Sequence, residues 1–101
     1  MTRNESYVFE VFGEAMEPQY FAGEVVYVDP LQPIGRGDFV VAQMNAPGEK
    51  LRRTHINRLV SFDNKWLTLE QYNPKRTFTF PSRSVVSVYK IVMGGERRML
   101  N

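Results

Sequence analysis

The stretch Gly13–Pro18, with the sequence GEAMEP, lies between two strand-like runs and has the form of a reactive turn that lacks a reactive atom. Ala15, near its centre, carries no hydroxyl group with which to attack a carbonyl carbon. The chain also has no cysteine, which excludes a disulfide framework and a thiolate metal site. The sequence therefore raises the question of whether Ala15 is an ordinary loop residue or marks the position of a lost nucleophile.

The other side chains with acid–base chemistry are sparse. His55 is the only histidine, and no serine or cysteine motif stands beside it, so we predict an ordinary strand histidine. Glu14, Glu17 and Glu24 flank the turn without the spacing of metal ligands or of paired catalytic carboxylates. We expect them to be solvated charges, and the sequence predicts neither a metal site nor a cofactor.

Two further patterns have a structural interpretation. The segment 35–38, GRGD, precedes a strand instead of a helix, so it is predicted to turn the chain and not to bind phosphate. A set of aromatic residues could stack on nucleic-acid bases, but their alternating strand positions favour core packing. These residues are Trp66, Phe78, Phe80 and Tyr89.

Composition and charge bound the class of protein. With 101 residues, 43% hydrophobic and 24% charged, the chain is predicted to form a single globular domain over 1–101. The net charge of +2 is mild, and the cations are scattered in the pairs Arg52-Arg53, Lys75-Arg76 and Arg97-Arg98. This distribution favours solvated positions over a DNA-contacting patch.

No apolar run in the sequence approaches the roughly 18 residues that cross a bilayer. The N-terminal sequence MTRNESY also lacks the apolar centre of a signal peptide. We therefore expect a cytoplasmic protein without a membrane partner.

Runs of β-branched and aromatic residues recur about every dozen positions between Gly, Pro, Asn and Asp clusters, which predicts an all-β domain. We expect mostly antiparallel strands in small coiled sheets with a barrel-like part, and at most one short helical turn, at Met16–Phe21. The predicted strands are Tyr7–Phe12, Glu24–Val28, Phe39–Met44, Lys50–Val60, Trp66–Gln71, Arg76–Phe80 and Val85–Val92.

The connections can be predicted from turn chemistry. Asn45-Ala46-Pro47-Gly48 should close a hairpin, since proline presets φ and glycine tolerates positive φ. The alternation in Thr77–Phe80 should direct Phe78 and Phe80 to the core and the threonines to water. Residues 93–101 are predicted to form a loose tail.

Several blocks of the sequence occur in a recognisable order. These blocks are Gly13–Pro18, Gly23–Pro30, Gly37–Val41 and Ile56–Val60, followed by Leu69–Pro74 and the strand Val85–Val92. Together they resemble the C-terminal domain of LexA-like and lambda-type phage repressors, a group that includes the self-cleaving S24 peptidases, which share their fold with signal peptidase. The resemblance covers most of the chain, and four blocks in order with compatible spacing are far more specific than the first block alone.

The resemblance implies a role for individual positions. In this family a serine before the methionine is the nucleophile, and a lysine in a Lys-Arg-Leu segment is its general base. Ala15 occupies the nucleophile position and Asn57 the base position, whereas Gly13, Met16 and Pro18 belong to the turn whose amides hold the oxyanion. Because an amide cannot act as a base near neutral pH, the site as written should be inactive.

An alternative assignment of the base position stays open. A shifted strand register could place Lys50 or Arg52 there instead of Asn57. Both residues lie an odd number of positions from Asn57, so on a regular strand they point to the opposite face. The Arg58-Leu59 pair after Asn57 matches the family pattern better, and Ala15 forbids acyl chemistry under either assignment.

The resemblance implies a transcriptional regulator. Such domains pair subunits, so we expect a homodimer or higher oligomer, most plausibly through the strands around Val85–Val92. DNA would be contacted only by an N-terminal helix-turn-helix expected in a longer parent protein. The alternative is a Ser-Lys self-cleaving peptidase captured as an inactivated variant, and a weaker one is a small-molecule sensor that uses the vacated cleft. The resemblance does not indicate which inducer or co-protease would act on such a regulator.

Overall fold

The computed structural model describes residues 7–45, 48 and 50–94. It confirms the all-β, antiparallel fold class, because every pairing between strands is antiparallel. The elements are β1 (Tyr7–Glu10), β2 (Val25–Asp29), β3 (Phe39–Asn45), β4 (Arg52–Phe62), β5 (Trp66–Tyr72), β6 (Lys75–Pro81), a 3₁₀ helix (Ser82–Ser84) and β7 (Val85–Gly94).

The strands form one continuous seven-stranded sheet in the order β1-β2-β7-β3-β4-β5-β6, instead of several small sheets. Its centre is β3, where the consecutive residues Val40, Val41 and Ala42 have no solvent exposure. Because successive side chains of a strand point to opposite faces, both faces of the sheet must be covered at β3. This is why β3 reads as an apolar run and not as an alternating pattern.

Two apolar clusters cover these faces. Val41 belongs to the first cluster, with side chains from β2, β7 and the segment 11–20. Val40 and Ala42 belong to the second cluster, with side chains from β4 and β5. The first cluster comprises Val11, Met16, Tyr20, Val26, Val28, Val41 and Ile91. The second comprises Val40, Ala42, Met44, Leu59, Leu67 and Leu69.

One part of the sheet curls like a barrel. β4 pairs with β3 along Arg52–Arg58 but with β5 only from Arg58 onward. In the described sheet, residues 52–57 of β4 therefore have no paired strand on the β5 side. Residues of β1, at the far edge of the sheet, line a common cleft with residues 54–57 of β4. The strands β1, β2, β7, β3 and β4 therefore curl until their two outer members face one another.

The differences from the predicted elements are small. Each predicted strand is present with its ends within two residues, and β7 extends to Gly94, into the predicted tail, whose residues 95–101 lie outside the described part. Ala46 and Pro47 of the predicted hairpin turn also lie outside it, whereas Gly48 has the expected positive φ of 74°. Met16–Phe21 forms a hydrogen-bonded turn but no helix, and the 3₁₀ helix lies at Ser82–Ser84 instead.

The burial of β5 makes a stability prediction. Leu67 has no exposure, so Leu67→Ala should lower the free energy of unfolding by roughly 2–5 kcal/mol, from lost burial and the cavity left behind. The matched control is Leu51→Ala, because Leu51 is 81% exposed and the same atoms are removed. Urea denaturation followed by circular dichroism measures both, and equal losses in the two variants would contradict this account of the core.

Candidate functional site

The 13–18 turn is fixed by the turn between β5 and β6. The carbonyl oxygen of Ala15 accepts hydrogen bonds from the backbone N–H groups of Tyr72 at 2.9 Å and Asn73 at 2.8 Å. The side-chain amide of Asn73 also donates to the carbonyl oxygen of Glu14 at 3.2 Å. Gly13 enters the turn with φ of 77°, a conformation that favours glycine. Position 15 is therefore held by several hydrogen bonds from outside its own turn.

The turn also anchors itself in the first cluster through Met16. This side chain is buried, and its carbonyl oxygen accepts from the N–H groups of Gln19 at 2.8 Å and Tyr20 at 3.0 Å. Among the described residues, the N–H groups of Ala15 and Met16 donate to no acceptor. An arrangement of two free amides at a sharp turn is what an oxyanion requires. Pro18 is exposed at the far end of the turn.

Asn57 lies next to this turn, on the part of β4 that β5 leaves uncovered. It is opposite Val40 in β3 and only 5% exposed. Its side-chain amide donates a weak hydrogen bond to the sulfur atom of Met16, with a nitrogen–sulfur distance of 3.5 Å. Met16, the residue after Ala15, thus contacts Asn57.

Ala15 and Asn57 line the same cleft, which has a volume of about 490 Å³. Its wall is mostly apolar, with side chains from β1, β4, β5 and β6. The other lining residues are Phe9, Glu10, Val11, Phe12, Met16, Thr54, His55, Ile56, Gln71 and Phe78. A methyl group at 15 and an amide at 57 supply neither a nucleophile nor a base at this cleft.

The alternative base positions lie elsewhere. Neither Lys50 nor Arg52 lines this cleft, and Arg52 lines a different recess. Lys50 is exposed and precedes the first residue of β4. The geometry therefore favours Asn57 as the base position, while the catalytic roles of positions 15 and 57 stay predictions.

One of the three glutamates near the turn differs from its prediction as a solvated charge. Glu24 is 4% exposed, so its prediction as a solvated charge is wrong. Its carboxylate accepts a hydrogen bond from the N–H of Phe21 at 2.8 Å and so closes the turn that leads into β2. Within the described ranges, no group of three or more His, Cys, Asp or Glu side chains is placed to hold a metal ion.

His55 is half-buried on β4 and lines the cleft. Its ring centroid lies 5.1 Å from that of Phe80. Burial, and secondly the charge of Arg53, lower the pKa of His55 below its ordinary value of 6.5. The histidine is therefore mostly neutral at physiological pH, and sequence reasoning missed its position at the cleft.

The aromatic residues divide into two groups. Phe80 and Tyr89 pack against the second and first clusters respectively, as predicted. Thr77 and Thr79 are exposed, as predicted. Phe78, in contrast, is half-buried at the cleft wall and packs against neither cluster, so its prediction as a core residue is wrong. Trp66, however, is about half exposed at the start of β5, and its prediction as a core residue is wrong.

Several basic residues of the described chain have acidic or aromatic partners. Lys75 and Arg58 both pair with Glu70, at 3.7 and 3.0 Å. The Arg76 guanidinium lies 5.0 Å from the ring centroid of Phe78, in a cation–π contact. Arg97-Arg98 lies outside the described residues.

Comparison with known proteins identifies the family. The Peptidase S24-like family profile matches residues 1–88, which include the 13–18 turn and Asn57. The chain belongs to the Peptidase S24-like family. It is 35% identical over 94 residues to Repressor protein C of Rhizobium phage 16-3. The aligned region covers 90% of this chain and 36% of that protein. The chain is also 35% identical over 69 residues to the prophage repressor CohE of Escherichia coli (strain K12), covering 68% of this chain and 29% of CohE.

The chain thus spans about a third of the length of these two repressors. No solved structure matches it at a significant level. Among the described residues, no helix is long and apolar enough to cross a membrane. The family resemblance predicted from the ordered blocks is confirmed.

The environment of His55 makes a pH prediction. Because its pKa is lowered in the folded state, the unfolded chain binds a proton more readily, and the free energy of unfolding should fall as pH drops through about 6.5. The loss should level off once the pH is below the lowered pKa. Since His55 is the only histidine, His55→Gln should remove this slope, which urea denaturation between about pH 7.5 and 5.5 measures. An unchanged slope in the variant would contradict the assignment.

Proposed function

We propose that this chain is the dimerisation and regulatory domain of a repressor-type transcription regulator, with a peptidase site that does not cut peptide bonds. The family and the two repressor relatives support the regulatory role. Because the chain spans only about a third of each relative, DNA contact is assigned to a helix-turn-helix elsewhere in a longer protein. Such a regulator acts in the cytoplasm.

The observation that carries the proposal is the shared cleft of Ala15 and Asn57. A serine hydroxyl becomes nucleophilic only when a neighbouring base takes its proton, and a lysine is that base only when burial lowers its pKa. Position 57 offers the required burial, at 5% exposure, but holds a neutral amide. On this proposal, the chain keeps the scaffold of a Ser-Lys site and carries neither reacting group.

A domain that does not cleave peptides can still serve a regulator by dimerising. Joining two DNA-binding heads makes the second binding event intramolecular and raises avidity by roughly 10²–10⁴. A two-fold symmetric dimer would also set the spacing of the two DNA half-sites. Loss of self-cleavage would remove one way of switching the regulator off but would leave pairing intact.

A continuous apolar strip on the outside of the sheet is the candidate dimer surface. Tyr27 pairs with Val8 in β1 and with Met93 in β7, so these three side chains share one face. Val26 and Val28, their neighbours in β2, point into the first cluster on the opposite face. Val8 is 55% and Met93 50% exposed. A contiguous apolar patch that contacts water is typical of an interaction surface. The strip includes the C-terminal part of β7 and extends the surface expected around Val85–Val92.

The strip predicts the effect of charge on association. Val8→Glu and Met93→Glu should each weaken self-association by about tenfold or more, since a carboxylate would be buried without a partner. Thr77→Glu, on the exposed side of β6, is the control and should leave association unchanged. Sedimentation equilibrium measures this. A monomeric parent chain at high micromolar concentration would overturn the dimer proposal.

The positions of Ala15 and Asn57 in one cleft predict which substitutions would create a reactive serine. The double variant Ala15→Ser, Asn57→Lys should react covalently with a fluorophosphonate probe, because the serine oxygen bonds to phosphorus, fluoride leaves and the buried amine takes the proton. The unmodified chain and Ala15→Ser alone should not react. Intact-mass spectrometry detects the adduct, and circular dichroism shows whether the variants fold.

Labelling of Ala15→Ser alone would instead identify a native amine, such as Lys50, as the base. A folded double variant that is not labelled would contradict the assignment of position 57. A labelled double variant is also what the second candidate, a Ser-Lys peptidase captured as an inactive variant, requires. Both candidates therefore rest on the same cleft and differ in whether Ala15 and Asn57 are the natural residues.

A further inference from the structure

A second recess lies apart from the vacated cleft. It has a volume of about 630 Å³ and is lined by residues of β1, β3, β4 and β7. Of the residues that line the cleft, it shares only Phe9. Its chemistry differs as well, because its described lining residues include an arginine and two tyrosines and none of them is acidic. A ligand bound in this recess would therefore not occupy the 15–57 site.

One wall of the recess is aromatic. The rings of Tyr7 in β1 and Tyr89 in β7 are stacked, with centroids 5.9 Å apart and planes inclined by 26°. Tyr89 is anchored because it packs against the first cluster and pairs with Val41. Tyr7 is 46% exposed, so its ring presents surface to the recess instead of filling the core. The wall therefore has a fixed base and an accessible aromatic surface for a ligand.

Polar groups lie beside the aromatic wall, because Ser87 is two residues before Tyr89 in β7 and is paired with Gln43 in β3. The hydroxyl of Ser87 donates to the side-chain oxygen of Gln43 at 3.4 Å. This bond engages the acceptor of the Gln43 amide and leaves its NH₂ group to donate elsewhere. Arg52 lines the same recess and forms no ion pair within the described part of the chain. An arginine and an amide donor thus line the recess together with the aromatic wall.

We propose that this recess binds a small carboxylate carried on an aromatic ring. A guanidinium donates two parallel hydrogen bonds to a planar carboxylate, a match that a lysine cannot reproduce. The amide of Gln43 adds a neutral donor in the same recess, and the tyrosines offer the ring an offset-stacked contact. A cationic ligand is disfavoured, because none of the described lining residues is a carboxylate that would offset Arg52. The ring and the anion are both needed, since the ring contacts the tyrosines and the anion contacts Arg52 and Gln43.

Benzoate is a suitable probe, with benzyl alcohol as the uncharged analogue and acetate as the anion without a ring. At constant ionic strength, benzoate should give saturable NMR shifts at Tyr7, Gln43, Ser87 and Tyr89. Both analogues should bind at least about tenfold more weakly, since each lacks one of the two contacts. The Gln43 side-chain NH₂ resonance should move with benzoate and acetate but much less with benzyl alcohol.

Arg52→Gln removes the charge from an exposed position and should weaken benzoate binding by about tenfold. Arg83→Gln, at another exposed arginine, is the matched control and should bind as the unmodified chain does. Tyr7→Leu should also weaken benzoate while leaving acetate unchanged. The proposal is overturned by equal binding in Arg52→Gln, by shifts centred on Asn57 instead of this recess, or by shifts that do not saturate.

Discussion

The double-sided burial of β3 is the constraint on which the remaining structure depends. Val40, Val41 and Ala42 have no exposure, although neighbouring side chains of a strand point in opposite directions. Both faces of the sheet must therefore be covered at this strand, by the 11–20 segment and β2 on one side and by β4 and β5 on the other. A flat sheet with one covered face would leave one of the two clusters in water. The curl that brings β1 toward β4 follows from this requirement.

The curl also determines what the 13–18 turn can contact. Because β5 leaves residues 52–57 of β4 uncovered, the turn occupies the space beside them and places Met16 within reach of Asn57. Hydrogen bonds from Tyr72 and Asn73 to the Ala15 carbonyl hold the turn against the end of β5. The geometry of the site is thus maintained by backbone bonds and core packing. Neither requires a hydroxyl group at position 15 or an amine at position 57.

Local patterns in the sequence predicted the strands, and the family blocks predicted two positions that line one cleft. The seven strands follow from β-branched runs bounded by turn residues, and Ala15 and Asn57 follow from the ordered family blocks. The cleft positions of His55 and Gln71 were not predicted, since they depend on which strands the curl brings together. The same limit applies to Glu24, whose burial depends on the packing of the segment before β2, and to Trp66, which lies at the exposed end of a hairpin. The residues of a short segment are enough to predict that it forms a strand. Which other strands or segments cover each face of that strand depends on residues far away in the sequence.

The arrangement of the sheet edges bears on how two copies can associate. The edge strand β6 begins with Lys75 and Arg76 and ends at Pro81, features that oppose pairing with another strand. The other edge, β1, has four residues in the described part of the chain, so pairing along these residues would add few hydrogen bonds. β7 is not an edge, because it pairs with β2 and β3 on its two sides. Association through the C-terminal strand must therefore use a face of the sheet. The strip formed by Val8, Tyr27 and Met93 is a face on which β7 contributes apolar surface without losing either neighbouring strand.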